Sequence, residues 1–95
     1  MPEIRFKVQW PDGSQELCYS PSLVVKEYLT AGEQYSLEDF VARTREALTI
    51  ASDRVQKKYG FPCSLALGQR QRIIDKAQAY PDPQQCQVQM LEFLS

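Results

Sequence analysis

The feature that most constrains this chain is an alternation at its start. Ile4, Phe6, Val8 and Trp10 alternate with Arg5, Lys7 and Gln9 up to Pro11-Asp12-Gly13-Ser14. Beyond that turn, Leu17 and Tyr19 alternate with Glu16 and Cys18. Period-two patterning on both sides of a turn sequence predicts a β-hairpin with one buried and one solvated face. Taking Asp12-Gly13 as the two loop residues of a type I′ turn sets the register. Val8 then faces Leu17 and Phe6 faces Tyr19 on the apolar side. Lys7 faces Cys18 and Gln9 faces Glu16 on the polar side. A slip of one residue would send Leu17 and Tyr19 to the other face.

A chain of 95 residues, 43% of them hydrophobic, holds one modest core and no second one. Its net charge is −1, which gives no overall reason to expect nucleic acid or an acidic membrane as partner. The charge is unevenly spread. Residues 1–42 hold three basic and seven acidic side chains, and residues 43–76 hold eight basic and three acidic. The helical middle is therefore mildly basic. Three cysteines and no histidine exclude the common structural zinc patterns and the Cys–His catalytic pair. No motif implies a metal or any other cofactor. No signal-like opening and no apolar run of about 20 residues occur, so a cytoplasmic location with reduced thiols and no membrane partner is expected.

Ser20-Pro21 opens a segment, 20–29, that fits a short helix with Ser20 as cap and Pro21 at its first position, while its Leu23-Val24-Val25 run fits an extended strand equally; the helix is favoured, and residues 30–34 then form a loop. The next helix is well marked. Ser36 is its N-cap, Asp39 stands at the capping-box position, and Tyr35 and Phe40 hold the two positions of a hydrophobic staple. Leu37, Phe40, Val41, Ala47, Leu48, Ala51, Val55 and Tyr59 form one apolar stripe, and Gly60 ends the helix. A second helix spans 64–79 with Leu67, Arg70 (by its stem), Ile73, Ile74 and Ala77 inward. Gly68 within it suggests a close approach of the first helix. Residues 85–94 make a last strand, exposed at an edge, in which Cys86, Val88 and Met90 share a face. The apolar phase then shifts to Leu91 and Phe93, which marks either a bulge or the end of pairing. The sum is an α+β domain, 1–95, ordered β-β-(short α)-α-α-β. A three-stranded antiparallel or mixed sheet carries two helices on one face.

Candidate chemistry is sparse. Cys63 begins the second helix, where unpaired backbone N–H groups favour a thiolate, and Cys18 lies outward beside Lys7; either is a candidate nucleophile or redox centre. Cys86 reads as core. Arg70, Arg72, Lys57 and Lys58 are candidate anion ligands within the basic middle. Without a stacking platform or a phosphate-cradling glycine loop they argue against nucleic acid. The outward sheet face (Arg5, Lys7, Gln9, Glu16, Cys18, Gln87, Gln89) is lightly charged and suits pairing with another chain. The apolar tail Met90, Leu91, Phe93 and Leu94 either closes the core or docks on a partner.

The words Trp10-Pro11-Asp12-Gly13-Ser14, the run from Cys18 to Lys26, Ala51 to Val55, Tyr59-Gly60-Phe61 and Cys63-Ser64 resemble the small nitrogen-starvation-response proteins of bacteria and cyanobacteria. These are encoded beside a nitrilase, a radical-SAM enzyme and an acetyltransferase-like protein. The resemblance covers residues 2–64 and implies a bacterial, cytosolic context with cluster-encoded enzymes as partners. It brings no reaction and no catalytic residues. The leading expectation is a non-enzymatic, self-associating accessory protein. Thiol-dependent chemistry is the alternative, and RNA or anion binding a weaker third.

Overall fold

The computed structural model describes residues 3–94. In chain order the elements are β1 (Ile4–Gln9), β2 (Gln15–Ser20), α1 (Val25–Tyr28), β3 (Gln34–Ser36), α2 (Leu37–Tyr59), α3 (Ser64–Ala77) and β4 (Gln87–Leu94). The sheet has four strands, not three, in the order β2-β1-β4-β3, with every pair antiparallel. The added strand, β3, takes the last residue of the expected loop and the two residues that lead into α2; at three residues it is too short to show alternation in the sequence. Neighbouring backbone bonds extend its ladder, Gly32 N–H donating to Met90 O at 2.7 Å and Leu37 N–H to Cys86 O at 2.8 Å. β4 is consequently an interior strand, and the expectation that it forms an exposed edge is corrected.

The hairpin forms, but in the other register. Arg5 faces Tyr19, Phe6 faces Cys18, Lys7 faces Leu17 and Val8 faces Glu16. Pro11-Asp12-Gly13 is a three-residue loop. Gly13 N–H returns to Trp10 O at 2.9 Å, Trp10 N–H reaches Ser14 O at 2.7 Å, and Gly13 takes the left-handed conformation at φ 89°. This is a type I turn closed by a glycine bulge, and Pro11 pre-sets its first corner. Cys18 and Ser20 therefore point into the core, while Leu17 stands 51% exposed on the outer face.

Phe6, Val8, Trp10, Cys18, Val88 and Met90 on the inner sheet face meet Val25 of α1 and Leu29 just beyond it, Leu37, Phe40 and Leu48 of α2, and Ile73 of α3. Trp10 anchors this layer, edge-on to Phe40 at 5.6 Å and stacked on Tyr80 at 6.3 Å. In β4 the phase shift is a bulge. Lys7 pairs with Glu92 and Val8 with Met90, leaving Leu91 outside the ladder. The extra residue lets Met90 and Phe93, three apart in sequence, share the inner face.

α2 keeps its sequence-predicted ends. Ser36 Oγ accepts from Asp39 N–H at 3.1 Å, and Gly60 ends the helix at φ 88°. Asp39 does not close the capping box; its carboxylate accepts from Arg43 Nε at 2.9 Å. Arg43 also lies over the Tyr35 ring at 4.9 Å and donates to Tyr28 O at 2.9 Å, tying α1 to α2. Tyr59 lies beyond the core and is 54% exposed. Thr44 and Ser52, absent from the apolar stripe, are buried. Thr44 Oγ1 donates back to Phe40 O at 2.9 Å, and Ser52 Oγ accepts from Cys63 N–H at 3.2 Å, pinning the start of α3. The short helix exists but starts later than expected. Ser20 and Ser22 instead build a buried turn before it, with Ser20 Oγ donating to Ser22 O at 2.7 Å.

Gly68 marks no close approach: a Cβ there would meet nothing within 4 Å. Gly68→Ala is therefore expected to stabilise the domain by about 1 kcal/mol. In a thermal melt that corresponds to a rise of roughly 4–8 °C.

Candidate functional site

The three thiols are far from equivalent. Cys18 lies opposite Phe6 and is 1% exposed. Burial pushes its pKa far above the ordinary 9.0, and the Glu16 carboxylate adds to the rise. The outward, Lys7-activated position expected from the sequence is thus corrected, because the three-residue loop moves Cys18 to the inner face. Cys63 occupies the N-cap position of α3, half-buried, with no capping bond from its side chain. Cys86 is half-buried and packs against the core rather than within it.

Accordingly Cys63 and Cys86 are expected to react with a maleimide in the native state, and Cys18 only on unfolding. Mass spectrometry of timed labelling checks this, and native labelling of Cys18 would contradict the register. The same burial sets a pH dependence. The folded-state pKa of Cys18 is raised, so its contribution is complete below the unfolded value of 9.0 and is lost as pH climbs above it. The expected slope from this one group is about 1.4 kcal/mol per pH unit.

The basic residues do not converge. Arg70 Nη1 donates to Thr49 Oγ1 at 3.0 Å, joining α3 to α2. Arg72 Nε bonds Glu16 Oε2 at 2.8 Å, while the other Glu16 oxygen accepts from Trp10 Nε1 at 3.2 Å. Lys58 sits over the Tyr59 ring at 5.6 Å, and Lys57 is exposed beside it at the far end of α2. Of the tail, Met90 is wholly buried, Leu91 and Phe93 are half-buried, and Leu94 is 39% exposed. Lys26 Nζ lies 5.8 Å from the centre of the Phe93 ring. Among the described residues no group of three or more His, Cys, Asp or Glu gathers to hold a metal ion, and no helix is long and apolar enough to cross a membrane.

Two open surfaces escaped the sequence reading. A groove of about 400 Å³ runs between α2 and α3, floored by Leu37, Val41, Ile74, Ala77 and Tyr80, with Glu38, Arg45 and Gln78 on its rim. Tyr80's phenol is pushed up in pKa by burial and then by the nearby Asp12 carboxylate. The α2–α3 turn exposes Tyr59, Phe61 and Leu65, the last two at 64% and 65%. An aromatic residue in a Gly60-Phe61-Pro62 turn was the available signal. Exposed apolar groups gathered in this way mark interaction surfaces more often than isolated ones do.

The fold and these surfaces define a small α+β domain with exposed apolar contact area at the α2–α3 turn. Comparison with known families makes this specific: the chain matches the family described as "Nitrogen starvation-induced protein NitG" over residues 5–93 and belongs to it. The match runs well past residue 64, through α3 and into β4. No curated protein and no solved structure matches the chain.

Proposed function

We propose that this chain is a non-enzymatic accessory protein of the bacterial nitrogen-starvation response, working in the cytoplasm by association. Its partners are a second copy of itself and the enzymes encoded beside it. The observation that carries the reading is the open apolar surface on a domain whose core is already closed. Phe61 and Leu65 project from the α2–α3 turn, and a separate groove with an apolar floor opens at the other end of the same two helices. Neither is needed to bury another hydrophobic group, so the solvation cost they impose is relieved only by a partner.

The test is reconstitution with purified nitrilase-cluster enzymes. Co-elution that is lost in Phe61→Ser/Leu65→Ser, with the thermal melt unchanged, supports the reading. Wild-type protein eluting apart from every cluster enzyme counts against it. Thiol chemistry remains the second reading, and Cys63 carries it, half-exposed at the first turn of α3.

A further inference from the structure

The sheet is covered by helices on one face only, and the pattern of its bare face is self-complementary. Three cross-strand rows run through β1, and Ser36 with Gln87 adds a short fourth on β3 and β4. Gln15 of β2, Gln9 of β1, Gln89 of β4 and Gln34 of β3 lie side by side in one row spanning all four strands. The next row is Leu17, Lys7 and Glu92, and the third is Tyr19, Arg5 and Leu94. Within the amide row, Gln15 Nε2 and Gln9 Oε1 are 3.5 Å apart. Among the described residues Lys7 and Glu92 form no ion pair within 4.0 Å, although they are paired neighbours on β1 and β4. A solvated sheet face ordinarily alternates charges; this one has a band of neutral amides beside one unspent cation and one unspent anion.

We propose that this face docks on the same face of a second copy, about a two-fold axis parallel to the strands and midway between β1 and β4. The proposal rests on the self-association read above and gives it a surface and a geometry. Rotation about that axis lays β1 over β4 of the second copy. Lys7 then meets Glu92 of the second copy, and Glu92 meets its Lys7. Gln9 meets Gln89 and Gln15 meets Gln34, and each amide both donates and accepts, so the row pairs with itself.

Charge selects this axis over its rivals. An axis across the strands through the charged row sets Lys7 on Lys7 and Glu92 on Glu92. An axis along β1 sets Lys7 on Lys7. Two sheets packed about 10 Å apart leave a gap that a lysine and a glutamate together span. Three strands about 20 Å long and the three-residue β3, spaced about 4.8 Å apart, give a plan area of roughly 350 Å² per subunit, which is below the range of stable specific interfaces and makes this a weak, transient dimer. Association is accordingly expected only at tens of micromolar and above.

Sedimentation of the full chain from about 5 μM to about 1 mM is expected to show this monomer–dimer equilibrium. Lys7→Glu or Glu92→Lys alone places like charges together twice per dimer and is expected to weaken it at least 10-fold. The double exchange restores the pairing and is expected to return it to within about 3-fold of wild type. Circular dichroism melts establish that each variant is folded. Independently of any variant, zero-length carbodiimide crosslinking of mixed light and heavy-isotope chains is expected to give a Lys7–Glu92 peptide joined between copies. A dimer unmoved by both single reversals, or lacking that inter-chain peptide, overturns the sheet-face assignment and leaves self-association standing. A monomer throughout the range overturns both.

Discussion

Trp10→Ala is expected to bring the domain close to unfolding. Trp10 is 2% exposed and joins the sheet to the helices. Its ring packs edge-on to Phe40 and flat on Tyr80, and its indole N–H reaches Glu16. Truncating a buried tryptophan removes its transfer free energy and leaves a cavity, about 3–5 kcal/mol in sum. A domain of this size has roughly 5–14 kcal/mol of stability in total. At 4–8 °C per kcal/mol, the melting temperature is expected to fall by at least about 12 °C. Trp10→Phe is the informative companion. It keeps most of the aromatic area but strips Glu16 of a donor, leaving that carboxylate to Arg72 alone, and is expected to cost well under half as much. Thermal melts followed by circular dichroism read both. A Trp10→Ala variant melting within about 3 °C of wild type would mean that Trp10 does not seal the core as described.

The elements most legible in the sequence are those fixed by local chemistry. The ends of α2 could be read from Ser36 and Gly60 because each satisfies backbone groups a few residues away. The shift of apolar phase in β4 could be read from Leu91 and Phe93, but only the pairing with β1 decides for a bulge over the end of the ladder. What could not be read depends on contacts distant in sequence. β3 exists only because β4 lies beside it. Thr44 and Ser52 look like surface residues until their hydroxyls are seen to return to the backbone or to the start of α3. The candidate site was the least legible part. Arg72 appears free in sequence, yet it is held by Glu16, 56 positions away. The bare sheet face carries Leu17 and Tyr19 instead of Glu16 and Cys18 because of a single turn. Apolar spacing alone favoured the wrong register, since Leu17 and Tyr19 look like the inward pair.

That turn gives the second large effect. Deleting Ser14 keeps the Pro11-Asp12-Gly13 turn but brings Gln15 opposite Trp10 in place of Ser14. The strands must then either slip by one residue or hold the native pairing through a strained connection. A slip turns Leu17 and Tyr19 inward and Cys18 outward. It also breaks the Glu16 bridge between Trp10 and Arg72 and the bond from Tyr19 N–H to Gln69 Oε1, 3.1 Å long, by which α3 covers the open edge of β2. Two large side chains would enter space now filled by Cys18 and Ser20, and overpacking of that kind costs about 1–3 kcal/mol before the lost polar contacts are counted. The deletion is therefore expected to lower stability by roughly 3–5 kcal/mol, most of it through β2. Gly13→Ala separates strain from register. It keeps the hairpin at its full length but forces a side chain onto φ 89°, and is expected to cost only about 1–2 kcal/mol. Thiol labelling distinguishes the two, because Cys18 becomes reactive in the deletion variant while still folded and stays protected in Gly13→Ala. A deletion variant with the wild-type melting temperature and a protected Cys18 would show that packing, and not the length of the hairpin, sets the pairing of this sheet.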